Sequence, residues 1–202
     1  MFQEFIDFFT QPSPVLWVSQ ICGLLGFFII TVSYQFKKSS FLLVSGISYI
    51  LFALESGIAG LFSNAIVSAM SFVRNMVMLY FLTRKKREMP ACGAIVIVAI
   101  IWIAEILLFA ADSSVRGDWG NYLPPVLVTL YTFAANHKNY YVLKAGAFLL
   151  ETGFLVFFLL NGLPFSVLRQ AVLVLSVLVS VCRMAAKDIK QKREVTHAVN
   201  RT

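Results

Sequence analysis

Seven long apolar runs, parted by short polar breaks, decide what this chain can fold into. They cover about 15–35, 41–57, 62–83, 91–111, 122–136, 141–160 and 165–186. At 1.5 Å rise per residue, roughly 20 apolar residues cross the hydrocarbon core of a bilayer as a helix. Lipid leaves no partner for open backbone groups, so helices are the spanning element for runs of this length. The third run ends a stretch, 60–87, that reads GLFSNAIVSAMSFVRNMVMLYFLTRKKR. It combines a membrane-length apolar segment, an arginine near mid-depth (Arg74) and the densest charge run of the protein.

Composition agrees. Of the 202 residues 59% are hydrophobic and 13% charged, and the mean hydropathy is +0.80. A soluble domain is roughly 45–50% apolar and about 25% charged. The expectation is an all-α, multi-pass integral membrane protein with no separate soluble domain and the lipid bilayer as its partner. The formal charge of +7 is no sign of nucleic-acid binding, because the basic residues sit in loops and in the tail. Residues 1–10 carry Glu4 and Asp7 and lack a basic leader, so no cleavable signal is expected. Phe2, Phe5, Ile6 and Phe9 share one face of a short interfacial helix, if 1–14 is ordered.

The positive-inside bias sets an orientation. With the N-terminus outside, fourteen of the seventeen basic residues fall on the cytoplasmic side. They include Lys37, Lys38, the 84–87 run, Lys138, Lys144, Arg183 and the basic tail 187–202. The outside keeps Arg116 with acidic Glu4, Asp7, Asp112 and Asp118, and Arg74 and Arg169 lie within the membrane. N-out and C-in follows, with the bacterial inner membrane as the expected site.

Shifting the chain by about 102 residues lays GLFS at 60–63 near GLPFS at 162–166, and Lys37-Lys38 near His137-Lys138. The layout expected is 3+1+3. A first three-helix repeat covers 15–83, a basic loop and linking helix 84–121, and a second repeat 122–186. One crossing helix between the triplets gives them the same orientation, hence parallel repeats.

Polar residues at helical spacing mark candidate sites. Span three carries Asn64, Ser68, Ser71 and Asn75, and span five Pro125, Thr129, Thr132 and Asn136. Span seven carries Ser166, Arg169, Gln170, Ser176 and Ser180. Such stripes either line a cavity or let helices approach closely. For Gly23 and Gly26 of span one, close packing is the expectation. A charge at mid-depth costs about 2.5–3.5 kcal/mol on insertion scales, so it faces the bundle and is paired. Two pairings are compatible with depth, Arg74 with Glu151 and Arg169 with Glu55. Substrate-binding candidates are Asn64, Ser68, Ser71, Arg74, Asn75, Glu151 and Gln170. Glu55, Glu105 and Arg169 are structural or coupling charges.

No catalytic motif is visible. His137 and His197 stand without a partner pattern, and Cys22, Cys92 and Cys182 lack metal-ligand spacing, so an enzyme, a metal site and a cofactor are not expected. Two readings stay open. The first is a transporter of a small polar solute, anionic or zwitterionic if Arg74 is available to it. The second is a membrane scaffold or accessory subunit whose polar stripes hold helices together. A homodimer is compatible with either.

The segments VSQICGLLGFFIITVSYQFKKSS (18–40) and SNAIVSAMSFVRNMV (63–77), with NGLPFSVLRQAV (161–172), resemble the YgjV-type bacterial inner membrane proteins, within the sugar-transporter (SWEET) and PQ-loop superfamily. Pro124-Pro125 stands in span five at a place comparable to the dipeptide that names the PQ-loop group. The resemblance implies two three-helix bundles facing each other around a central pathway. It also implies that an asparagine of span three, Asn64 or Asn75, contacts substrate.

Overall fold

The structure is a computed structural model that describes residues 14–111, 119–160 and 164–199. The expected interfacial helix at 1–14, the outer loop before 119 and the break at 161–163 lie largely outside these. Seven α-helices account for most of the described residues, and no strand occurs among them. In chain order they are α1 (Pro14–Ser33), α2 (Lys38–Ile58), α3 (Phe62–Arg84), α4 (Ala91–Ala111), α5 (Leu123–Ala135), α6 (Tyr140–Leu160) and α7 (Pro164–Val199). A short 3₁₀ turn, Trp119–Tyr122, leads into α5.

Five helical segments are long and apolar enough to cross a membrane: Lys38–Ile58, Phe62–Arg84, Ala91–Ala111, Tyr140–Leu160 and Ser166–Lys190. The first helix adds a shorter apolar stretch, Trp17–Ser33. The fifth has 13 residues, about 20 Å at the α-helical rise, and is short of a full crossing. Pro124 and Pro125 occupy its first turn, where a missing N–H costs nothing. The last helix corrects one expectation. The basic tail continues the helix to Val199 instead of leaving it near residue 186.

Helix α2 packs against α1 and α3, and α6 against α5 and α7. Between these sets α4 lies against α3 and α5, while α1 meets α7 and α3 meets α5. Small residues make the close approaches. Gly26 of α1 faces the Phe52 ring, Gly146 of α6 sits against Ala134, and Gly153 against Leu127. The core runs through Ile30, Phe41, Leu42, Val67, Ile101, Tyr131, Leu143 and Leu173, all almost fully buried. Outward faces carry large apolar side chains, among them Phe28, Leu107, Leu149, Leu168 and Leu175. A surface of this extent suits lipid, since soluble monomers rarely expose large contiguous apolar patches.

Among the described residues two turns have left-handed backbone. Gly60 (φ 77°) ends α2, with Leu61 N–H donating to Ser56 O at 2.8 Å and Gly60 N–H to Gly57 O at 3.3 Å. That is the Schellman closure, in which a left-handed residue satisfies the last carbonyls. Lys86 (φ 54°) is left-handed after α3, where Arg87 N–H reaches back to Phe81 O at 3.4 Å. A Cβ at Gly60 meets nothing within 4 Å, so substitution there tests backbone strain alone. Gly60→Ala is expected to lower stability by about 1–2 kcal/mol and Gly60→Asn by less, as measured by thermal unfolding in detergent. Equal stability of all three proteins would mean that α2 does not end in this turn.

Candidate functional site

The polar side chains of the bundle separate into a cleft, an arginine cage and a seal. The cleft lies between α1, α2 and α3 on one side and α6 and α7 on the other, with about 480 Å³ of empty space including its mouth. Its polar lining is Glu55, Asn64, Ser68, Glu151, Arg169 and Gln170; its apolar wall includes Ile30, Phe52, Leu150, Phe154, Phe158 and Leu173, with Tyr49 alongside.

Each polar group is held by its own helix geometry. Glu55 lies near the end of α2, where Gly23 of α1 leaves room for its carboxyl group. Ser19, one turn before Gly23, donates to Glu55 O at 3.0 Å. Arg169 in the second turn of α7 donates to Glu55 Oε1 at 2.7 Å, and its guanidinium stands 5.3 Å from the Phe52 ring centre. Asn64, in the first turn of α3, donates to Ser56 Oγ at 2.9 Å. Deeper in, Gln170 donates to both the carboxylate of Glu151 and its backbone oxygen, the latter at 3.0 Å. The Tyr34 hydroxyl donates to the other carboxylate oxygen. Glu151 is 4% exposed.

Arg74 does not line the cleft. It is fully buried and donates to Asn75 Oδ1 through Nε at 3.1 Å and Nη2 at 3.0 Å, with Thr132 Oγ1 3.5 Å away. Tyr131 and Tyr49 flank the guanidinium, their ring centres at 4.7 and 5.6 Å. Asn75 in turn donates to Ser45 Oγ at 2.9 Å, so the cage ties α2, α3 and α5 together.

Of the two expected pairings, Arg169–Glu55 is present. Arg74–Glu151 is not. Among the described residues neither Arg74 nor Glu151 forms an ion pair, and Tyr49 borders both groups, with the arginine on one side and the cleft on the other. The stripe on α3 is divided accordingly. Asn64 and Ser68 reach the cleft, Ser71 is buried outside it, and Asn75 serves the cage. The arginine that faces the cleft is therefore Arg169, not Arg74. Glu105 of α4 belongs to neither group and accepts from Ser63 Oγ at 2.8 Å. Of the stripe on α5, Thr129 accepts from Trp102 Nε1 at 3.0 Å and Asn136 donates to Met89 O at 2.8 Å. These are bonds that hold helices together.

The seal lies at the end of the bundle that carries Lys37, Lys38 and the 84–87 run. Lys144 was expected on the cytoplasmic side, near the start of span six; it lies in the first turns of α6 and is 1% exposed. Its ammonium donates to Tyr34 O at 2.6 Å among the rings of Tyr34, Phe41 and Tyr140, 5.0–5.3 Å away. Ser180 Oγ donates to the same carbonyl at 2.6 Å, and Ser176 Oγ to Thr31 O at 3.0 Å. Arg183 donates to Gln35 Oε1 at 2.9 Å, and the Tyr140 hydroxyl to Phe36 O. Lys38 bonds Glu88 and His137 O, each at 2.8 Å. The turn after α1 is thus stitched to α6 and α7. A signal for Lys144 existed: it lies seven residues before Glu151 on one face of α6. Tyr34 and Tyr49 had none, because their roles depend on contacts far apart in sequence.

Comparison of the chain with protein-family models, curated proteins and solved structures returns no match.

If the cage only braces the bundle, Arg74→Lys is expected to destabilise nearly as much as Arg74→Ala. A lysine lacks the planar fork that meets one carbonyl twice between two rings. For the cleft pair, Arg169→Leu is expected to cost about 1–3 kcal/mol, and Arg169→Leu with Glu55→Leu less than the sum of the two single changes. Denaturation of the four proteins in one detergent measures the coupling. Additive losses would show the pair to be energetically idle.

Proposed function

We propose that this protein moves a small polar solute across the membrane by alternating access. The observation that carries the reading is a polar cleft lying between the first three helices and α6–α7, together with a hydrogen-bonded seal at the basic end. A scaffold whose polar groups served packing alone has no need of a half-open cavity that holds a carboxylate without a cation.

In this reading residues 15–83 and 122–186 are two parallel three-helix repeats joined by the linking helix within 84–121. The packing of α2 with α1 and α3, and of α6 with α5 and α7, supports that division. With N-out and C-in, the sealed end faces the cytoplasm of a bacterial cell and the cleft faces outward. The layout is the one implied by the resemblance to YgjV-type proteins and the wider SWEET and PQ-loop group. Asn64, Ser68, Glu151 and Gln170 supply hydrogen bonds to the solute, Glu55 and Arg169 guard the mouth, and the repeats rock about the site. Lys144 and Ser180 release the Tyr34 carbonyl when the inner end opens.

Sided labelling tests this. In a background with Cys22, Cys92 and Cys182 replaced by Ala, Ser68→Cys is expected to react with a membrane-impermeant maleimide from one side of the vesicle only. Adding Lys144→Ala removes two of the restraints on the turn after α1, the bond and the ring contacts, and is expected to permit labelling from the opposite side as well. Labelling from neither side in any of these proteins would mean a sealed bundle and would favour the scaffold.

A further inference from the structure

The charges that line the cleft do not cancel. Arg169 and Glu55 neutralise each other at 2.7 Å. Glu151 is held by a tyrosine hydroxyl and a glutamine amide, both neutral donors, and among the described residues it has no ion-pair partner. Arg169, whose charge reaches Glu151 across the cleft, is bonded to Glu55, and two further buried cations are engaged elsewhere. Lys144, on the same helix as Glu151, is committed to the Tyr34 carbonyl, and Arg74 is enclosed behind Tyr49 by Asn75 and Tyr131.

A carboxylate accepts about four hydrogen bonds, and Tyr34 and Gln170 supply one each to its two oxygens. Acceptor capacity therefore remains at a group that lines the cleft. Taking a carboxylate out of water without a counter-charge is expensive, so an arriving cation recovers much of that cost. The rest of the wall favours the same sign. Tyr49, Phe52, Phe154 and Phe158 line the cleft, and aromatic rings attract ammonium groups where water is excluded. An anion entering here meets an uncancelled carboxylate and an arginine that is already paired. A neutral polyol leaves Glu151 without its counter-charge.

We infer that the cleft takes a small solute with a positively charged ammonium group, seated between the Glu151 carboxylate and the aromatic wall of Tyr49, Phe52 and Phe154. The assignment rests on the transport reading of the same cleft and narrows it to a charge class. It replaces the anionic solute that an available Arg74 suggested.

The test uses the full chain in detergent, with choline and methylammonium as probes and succinate and glucose as controls at matched ionic strength. Binding to the folded state raises the melting temperature by an amount that grows with the logarithm of 1 + [L]/Kd. Choline is expected to stabilise at millimolar concentration, and neither control is. Glu151→Gln keeps the size of the side chain and is expected to weaken apparent choline affinity at least tenfold. Its folding is checked by gel filtration and by its melting temperature without probe. Phe154→Leu leaves the charge in place and is expected to weaken choline more than methylammonium, because the larger cation makes more ring contact. Failure of both ammonium probes to stabilise the wild-type chain overturns the assignment, as does equal stabilisation of wild type and a folded Glu151→Gln. If succinate or glucose stabilises instead while Ser68→Cys still labels from one side, the ammonium class falls and transport stands. If no solute acts and Ser68→Cys labels from neither side, both fall.

Discussion

Hydrocarbon offers no hydrogen-bond partner, so polar groups in these spans are driven to find one inside the protein. The internal organisation follows from that constraint. Ser33, Ser45 and Thr132 return their hydroxyls to carbonyls in their own helices, which costs the fold little. The charged side chains have no such local solution, and each recruits a different device. Arg169 finds a carboxylate, Arg74 an amide and two rings, and Lys144 a carbonyl and three rings. Glu151 alone among these four relies on neutral donors, and it is the one that lines the cleft at depth.

Tyr34 is the junction of this arrangement. Its hydroxyl donates to Glu151 at the cleft, and its backbone carbonyl accepts from both Lys144 and Ser180 at the seal. One residue thus touches the cleft with its side chain and the contacts at the basic end with its main chain. Its burial, at 1% exposure, keeps water from substituting for either contact.

Much of the fold was legible because apolar run length and helical span are the same information. Expected and observed bounds for the third and fourth spans, 62–83 against Phe62–Arg84 and 91–111 against Ala91–Ala111, differ by a residue at most. Failure came at the end of α7, where a polar sequence continues as helix beyond the apolar run. Depth along a span was legible too, since it requires only counting, and it served for Arg169 with Glu55. It did not serve for Arg74 and Glu151. Equal depth says nothing about azimuth, and Tyr49, distant in sequence from both, stands beside the arginine and lines the cleft. The same limit explains Asn75. It shares a stripe with Asn64, yet eleven residues on it serves a cage that excludes the cleft.

The unbroken course of α7 has a mechanical consequence. At the α-helical rise its 36 residues make a rod of about 54 Å, longer than the roughly 30 Å hydrocarbon core. Arg169 and Gln170 sit in its second turn, while Tyr141 holds Asp188 some five turns further along. A rod does not bend to absorb a small rotation at one end. A tilt of about 10° about its first turns carries the far end by roughly 9 Å at this length. A displacement of Gln170 at the cleft end is therefore several times larger at the basic end of the same helix, beyond the hydrocarbon core.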